Sequence, residues 1–146
     1  MHDSTENLIF PRLAPLYSAL TPLAEALMRV VAGGLLLMHG LPKLMSPFGA
    51  GGMVESIGFS PGFFWSPLLS VAEPVAGLLL LIGLWTRPAA IVASIILLVT
   101  AYAHGIAWGE GLMGAEKSIF WMLITLYFAA RGAGKFSVDR AMGKQF

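Results

Sequence analysis

Apolar residues gather in four long stretches, parted by short segments rich in glycine, proline or charge. A bilayer core about 30 Å thick takes roughly 20 mostly apolar residues to cross as a helix. Residues 22–44, 66–85, 88–108 and 117–131 qualify, the last being the shortest. Pro22, Pro67 and Pro88 suit first helical turns, where a missing N–H removes no helix bond. Pro47 falls past the end of the first stretch, and Gly132, Ala133 and Gly134 break the last. The pattern predicts an all-α fold, a transmembrane four-helix bundle over 22–131, flanked by an N-terminal segment 1–21 and a tail 132–146.

Composition agrees. Of 146 residues, 57% are hydrophobic and only 12% charged, about half the charged share of a soluble domain. A soluble chain of this size has no interior large enough for so much apolar surface. The net charge of +1 is balanced along the chain, with none of the clustered basic face that nucleic acid requires. With no cysteine, disulfide frameworks, thiolate metal sites and thiol nucleophiles are excluded. The first twenty residues hold Asp3, Glu6 and Arg12 without the charged-then-apolar order of a signal peptide.

Orientation follows from Lys and Arg near the span ends. Arg12, Arg29, Arg87, Arg131, Lys135, Arg140 and Lys144 fall on the side of the termini, against Lys43 and Lys117 on the other. Both termini are therefore expected in the cytoplasm. The first connection, 45–65, is rich in Gly, Pro and Phe and reads either as a lid or re-entrant segment or as an interfacial aromatic belt. The second outward loop is 109–116.

Ionisable residues inside a membrane normally face the bundle interior or a wet cavity. At about 100° per residue, Glu25, Arg29, His39 and Lys43 share one stripe of the first helix, with Ala32 and Leu36. Glu73, Gly77, Leu80 and Arg87 do so on the second, and His104 aligns with Ala93, Leu97 and Thr100 on the third. On the fourth, Glu116, Phe120, Leu123 and Tyr127 align. Counted in turns, His39, Glu73, His104 and Glu116 reach the same outer third. Glu25 and Arg29 read as an i,i+4 ion pair, Arg87 as a positive-inside anchor or a ligand clamp, and Lys43 as a snorkelling or a site residue.

Burial disfavours the charged forms of Glu and His, which suits them to handle protons released by a quinol. Apolar walls for such a ring come from Met38, Leu41, Phe120 and the aromatics of the first loop. Metal or haem is the rival use of His39, His104 and Glu73, but no short ligand spacing supports it, so no metal site is assigned.

Four motifs carry a family resemblance. The stretches 29–44 (RVVAGGLLLMHGLPKL), 72–87 (AEPVAGLLLLIGLWTR), 101–104 (AYAH) and 132–140 (GAGKFSVDR) together resemble the DoxX family, in order, from about residue 23 to the C-terminus. Two departures are Pro74, where an ordinary helix former is expected, and Ala133 in place of a proline. The resemblance implies a multi-pass protein of the bacterial inner membrane, linked to thiosulfate:quinone oxidoreductase or quinol oxidase complexes. His39, Gly40, Lys43, Glu73, Arg87 and His104 occupy motif positions. The expected function is a membrane subunit of a quinone-linked oxidoreductase, with Glu73, His39 and His104 as the reacting groups and Lys43, Gly40, Glu116 and Arg87 around the quinone. A non-catalytic anchor or assembly subunit and a small-molecule carrier are the alternatives. Expected partners are the lipid bilayer and other subunits or further copies of the chain.

Overall fold

In the computed structural model residues 9–143 are described; Asp3, Glu6 and Lys144 lie outside them. A single 3-10 turn, Pro11–Leu13, leads into α1 (Ala14–Met45). A short α2 (Gly51–Ser56) precedes α3 (Gly62–Ile82). Next comes α4 (Thr86–Tyr102), prolonged by a π-helical turn Ala103–Ala107. The chain ends with α5 (Gly111–Arg131) and the four-residue α6 (Val138–Ala141). Four helices, Pro11–Met45, Gly62–Ile82, Thr86–Ala107 and Gly111–Arg131, are long and apolar enough to cross a membrane. The protein is a transmembrane four-helix bundle.

Three helix starts differ from expectation, and one of them is α3, which begins at Gly62 and so holds Pro67 inside rather than in its first turn. α1 starts at Ala14, so Pro22 lies inside the helix rather than in its first turn. Its 32 residues measure about 48 Å, against about 31 Å for the 21 residues of α3 or α5. α5 starts at Gly111, because Glu116 and Lys117 sit exposed on its surface and need not mark its beginning.

α1 packs on α3, α3 on α4 and α4 on α5, and α1 touches α5 to close the ring. The 83–85 turn and the chain's two terminal segments share one end, called the terminal end here. The 46–61 and 108–110 connections share the other, the loop end. The core is built of small residues, with Ala76, Ala89, Ala90 and Ala93 packed around Leu36, Leu80 and Phe128. Large aliphatics such as Ile95, Leu98 and Leu123 point outward. Lipid tails are as apolar as leucine, so small residues that let helices approach closely win the interfaces.

The closest approach joins α1 to α3. A Cβ on Gly33 would lie 2.4 Å from the Leu81 nitrogen and 2.7 Å from the Gly77 carbonyl. One on Gly77 would lie 2.5 Å from the Leu37 nitrogen. Toward the loop end Gly40 seats on Pro74, where a Cβ would meet the proline nitrogen and Cδ at 2.6 Å. Pro74 has no N–H and its ring fits against a residue without a side chain.

Past Met45 the first connection climbs along the first half of α3. The Pro47 carbonyl accepts from Ser66 Oγ at 2.6 Å and from Ser70 Oγ at 3.2 Å, and the Ala50 N–H donates to Ser66 Oγ at 3.2 Å. Glu55 Oε1 accepts the Gly62 N–H at 2.6 Å, capping α3. Val54 and Ile57 are buried beneath this segment, and Trp65 packs edge-on to Phe59 and Phe64.

The glycine contact makes a paired prediction. Gly33→Ala puts a methyl against backbone on both sides, which no rotamer change relieves, and should cost about 1–3 kcal/mol. Gly34→Ala meets only the Leu81 Cδ1, at 3.7 Å, and should be neutral or stabilising by up to about 1 kcal/mol through helix propensity. Thermal unfolding of both variants in detergent checks the contrast.

Candidate functional site

Glu73 is 3% exposed and forms an ion pair and hydrogen bond with Lys43 Nζ. The Lys43 side chain retains 32% of its exposure against 5% for Glu73, so the pair has one buried and one accessible partner. Glu73 stands nine residues before Ile82, about 14 Å from the terminal end of a helix about 31 Å long. The carboxylate is thus near the middle of the α3 span. The i,i+3 placement of Gly40 and Lys43 explains the geometry: Gly40 brings α1 onto Pro74, and the lysine one turn farther reaches back to the adjacent glutamate.

The other expected site residues scatter. His39 shares the depth of Glu73, being the neighbour of Gly40, yet it is exposed and makes no hydrogen bond with any described residue. The reason is rotational. Seating Gly33 and Gly40 against α3 turns the packed face of α1 toward those glycines, and His39 is carried out of it. His104 lies in the π-helical turn, eighteen residues after Thr86, about 27 Å from the terminal end of α4. It is therefore about 13 Å nearer the loop end than Glu73. Its Nδ1 is 2.8 Å from Glu110 Oε2, and its ring meets Trp108 edge-on at 4.8 Å. Trp108 Nε1 donates to Ser56 Oγ at 3.3 Å, tying this turn to α2.

Glu116 is exposed, as are Phe120, Leu123 and Tyr127. The packed face of α5 is instead Ala115, Ser118, Thr125 and Phe128. Small and hydroxyl residues decide it: Ser94 Oγ donates to Thr125 Oγ1 at 2.8 Å, and a Cβ on Gly105 would lie 3.2 Å from that of Ala115. Among the described residues no three His, Asp or Glu side chains gather as metal ligands.

The terminal end is a second polar cluster. Arg29, 2% exposed, spreads its guanidinium over the end of α3. Nη1 donates to the Leu80 carbonyl at 2.6 Å and the Leu81 carbonyl at 3.1 Å, and Nη2 donates to the Phe136 carbonyl. Gly83 follows with φ of 71°, and any Cβ there would lie 2.4 Å from Arg29 Nη1. Asp139, 3% exposed, arrives from α6 to cap α4. Its Oδ1 accepts from the Trp85 N–H at 2.8 Å and its Oδ2 from the Thr86 N–H at 3.0 Å, while its own N–H donates to the Gly83 carbonyl. Sequence reasoning missed this role. The signal was a helix starting at Trp85-Thr86 with no capping side chain of its own.

The expected Glu25–Arg29 pair does not form. Glu25 Oε1 instead accepts from Tyr127 OH at 2.6 Å and from Arg131 Nε at 3.2 Å, binding α1 to the end of α5. Arg29 is drawn away to the carbonyls of Leu80, Leu81 and Phe136. Arg87 is half-buried at this end, far from Glu73, with its Nε unpartnered among the described residues.

A family model described as DoxX matches residues 24–105, more than half of the chain. A membrane protein of Mycobacterium tuberculosis, described as uncharacterized, is 35% identical over 130 residues, 80% of this chain and 80% of its own length. An uncharacterized protein of Haemophilus influenzae is 29% identical over 134 residues, covering 85% of this chain and 94% of its own. No solved structure matches.

The re-paired charges at the terminal end give a double-mutant test. Glu25→Gln and Arg131→Gln should couple by about 0.5–1 kcal/mol in unfolding free energy, being partners with one side exposed. Glu25→Gln and Arg29→Gln should add within about 0.5 kcal/mol, because they bond to different groups. Coupling of equal size in both cycles would contradict the observed pairing.

Proposed function

The chain belongs to the DoxX family, and from that premise we propose that it is the membrane subunit of a quinone-linked oxidoreductase of the bacterial inner membrane. The observation that carries the reading is the Lys43–Glu73 pair, a titratable carboxylate buried near the middle of the α3 span beside an accessible ammonium. Ionisable groups at that depth are expensive and are retained chiefly for ion or proton handling.

A quinol supplies two electrons and two protons when it is oxidised. The residues suit such a ring in two ways. His39 lies at the depth of Glu73 with its ring unpartnered among the described residues, and exposed Met38 and Leu41 flank it with apolar surface. Glu73, paired with Lys43, is the proton acceptor in this reading. On protonation its charge is lost and Lys43 is released, and the lysine's accessible side chain leads toward the loop end. Gly40 sets the helix spacing that makes the pair. His104 with Glu110 forms a second titratable pair nearer the loop end, where a proton leaves for water. The sequence has no cysteine for an iron–sulfur or covalently attached haem centre, and the reading assigns the electrons to an acceptor in a partner subunit. The Lys/Arg asymmetry supports a terminal end in the cytoplasm.

An anchor subunit is the second reading, favoured by the terminal end, where Glu25, Arg29, Arg131 and Asp139 are all engaged in holding helices together. The two are separated by Glu73→Gln, which keeps size and hydrogen-bonding capacity but abolishes the proton site. In the assembled complex, quinol oxidation should slow by about 10²–10⁴-fold, the usual weight of general acid–base catalysis, with assembly intact. An unchanged rate with a folded variant leaves the anchor reading in its place.

Sidedness is checked with single cysteines at Ser60 and Lys135. An impermeant thiol reagent applied to intact cells should label the Ser60 site and spare the Lys135 site. The opposite result would invert the topology.

A further inference from the structure

α1 outruns the bundle. Glu25 bonds to Arg131, the last residue of α5, so residues 14–24 continue past the level where α5 ends, by about 16 Å of helix. Leu13, Leu16, Leu20, Leu23, Leu27 and Val30 along this part are between 38% and 56% exposed. Their spacing is 3, 4, 3, 4, 3, the alternation of a heptad seam, and every leucine from 13 to 27 falls on it.

In heptad terms Leu13, Leu20 and Leu27 are a positions and Leu16, Leu23 and Val30 are d positions. Glu25 and Ala32 then fall at f, Arg29 and Leu36 at c, and Gly33 and Gly40, beyond the end of the seam, at g; these six are the residues buried against the bundle. Over residues 13–30 the seam lies on the opposite side of the helix from the buried Glu25 and Arg29. Lipid covers any apolar face and imposes no period, whereas a 3.5-residue period keeps a stripe aligned with another helix over several turns. The positions beside the seam, Tyr17, Ala19, Ala24 and Ala26, carry no charge, so two identical helices meet without repulsion.

We propose that the protein self-associates through this stripe, α1 of one copy against α1 of a second. Copies in one membrane share an orientation, so the two helices run parallel and a two-fold axis along the membrane normal sets each residue against its own counterpart. Buried in full, the six seam residues would contribute on the order of 500 Å² per copy, about 1,000 Å² for the pair, the size at which a specific interface begins. The seam starts outside the bilayer core, where water adds a hydrophobic driving force, and runs into it.

Because the chain has no cysteine, disulfide mapping reads the seam directly. Leu16→Cys, Leu20→Cys and Leu23→Cys are oxidised in native membranes beside Ala14→Cys, Ser18→Cys and Thr21→Cys. The first three should form covalent dimers at least several-fold more than the others. Co-purification of two differently tagged copies is the second readout. It should be lost in the Leu16→Lys, Leu20→Lys double variant, which alters only exposed positions and should keep the monomer's thermal unfolding. Even cross-linking at all six positions, or none with tagged copies that do not co-purify, overturns the proposal. Quenching of a fluorophore at residue 20 by brominated lipids would show the membrane surface to be the occupant instead.

Discussion

A helix end inside or beside a bilayer has carbonyls or N–H groups that water cannot reach, and each must find a partner within the protein. The 83–85 turn concentrates this requirement, because the last carbonyls of α3 and the first N–H groups of α4 meet there within a few residues. Both are answered from elsewhere in the chain. Arg29 donates to the Leu80 and Leu81 carbonyls, and Asp139 accepts from the N–H groups of Trp85 and Thr86. A cation at a helix C-terminus and an anion at an N-terminus also oppose the local helix dipoles correctly. The same guanidinium holds the Phe136 carbonyl, so the segment carrying Asp139 is fixed by the residue whose work it completes. Residues 24–105 of the family match include the arginine and the turn but not Asp139, although the two ends of the chain act here as one device.

From that clamp the two ends of the bundle diverge. Toward the terminal end charges are spent on tying helices together. Past the Gly33–Gly77 contact, α1 stays pressed to α3 only as far as Gly40 and Pro74, and stops at Met45. Above that level the partner of α3 is a climbing segment whose backbone is satisfied by Ser66 and Ser70. Irregular backbone of this kind is tolerated at membrane depth where protein supplies its hydrogen bonds. The end of α1 therefore places Lys43 where it can reach Glu73, near the middle of the α3 span, from the side of the loops.

How much of this was legible in the sequence depended on which force set each position. The number of spans was plain from length and hydropathy. The packed faces of α1 and α3 were legible from Glu25, Arg29 and Glu73, since charge against lipid is costly. The face of α5 was not, because Glu116 is in reach of the loop-end surface and pays little for exposure, while the determining residues were the small Ala115 and the hydroxyls of Ser118 and Thr125. Depth was misjudged for a related reason. Counted from the shared terminal end, Glu73 is nine residues from the end of α3 and His104 eighteen from the start of α4. That difference is hidden when turns are counted inward from loop-end starts that shift, as α3 does by beginning at Gly62 under the Glu55 cap. Pro74, odd when read alone as a helix residue, has its explanation in Gly40, a contact that no one-dimensional pattern displays.

Burying one carboxylate near the middle of a membrane span is a cost that an anchor need not bear, since two apolar side chains of similar volume would hold α1 to α3 as well or better. The contact beside the pair is already secured by glycine and proline backbone, so Lys43 and Glu73 are not required to bring the helices together. The contrast with the terminal end is instructive. There, removing Arg29 would take a charged donor from three carbonyls, and its charge has structural work in proportion to its cost. Glu73 has one partner, and that partner keeps its own access to the surroundings. A charge whose structural duty can be met without it, paired to an accessible group, is what the proposed proton site requires.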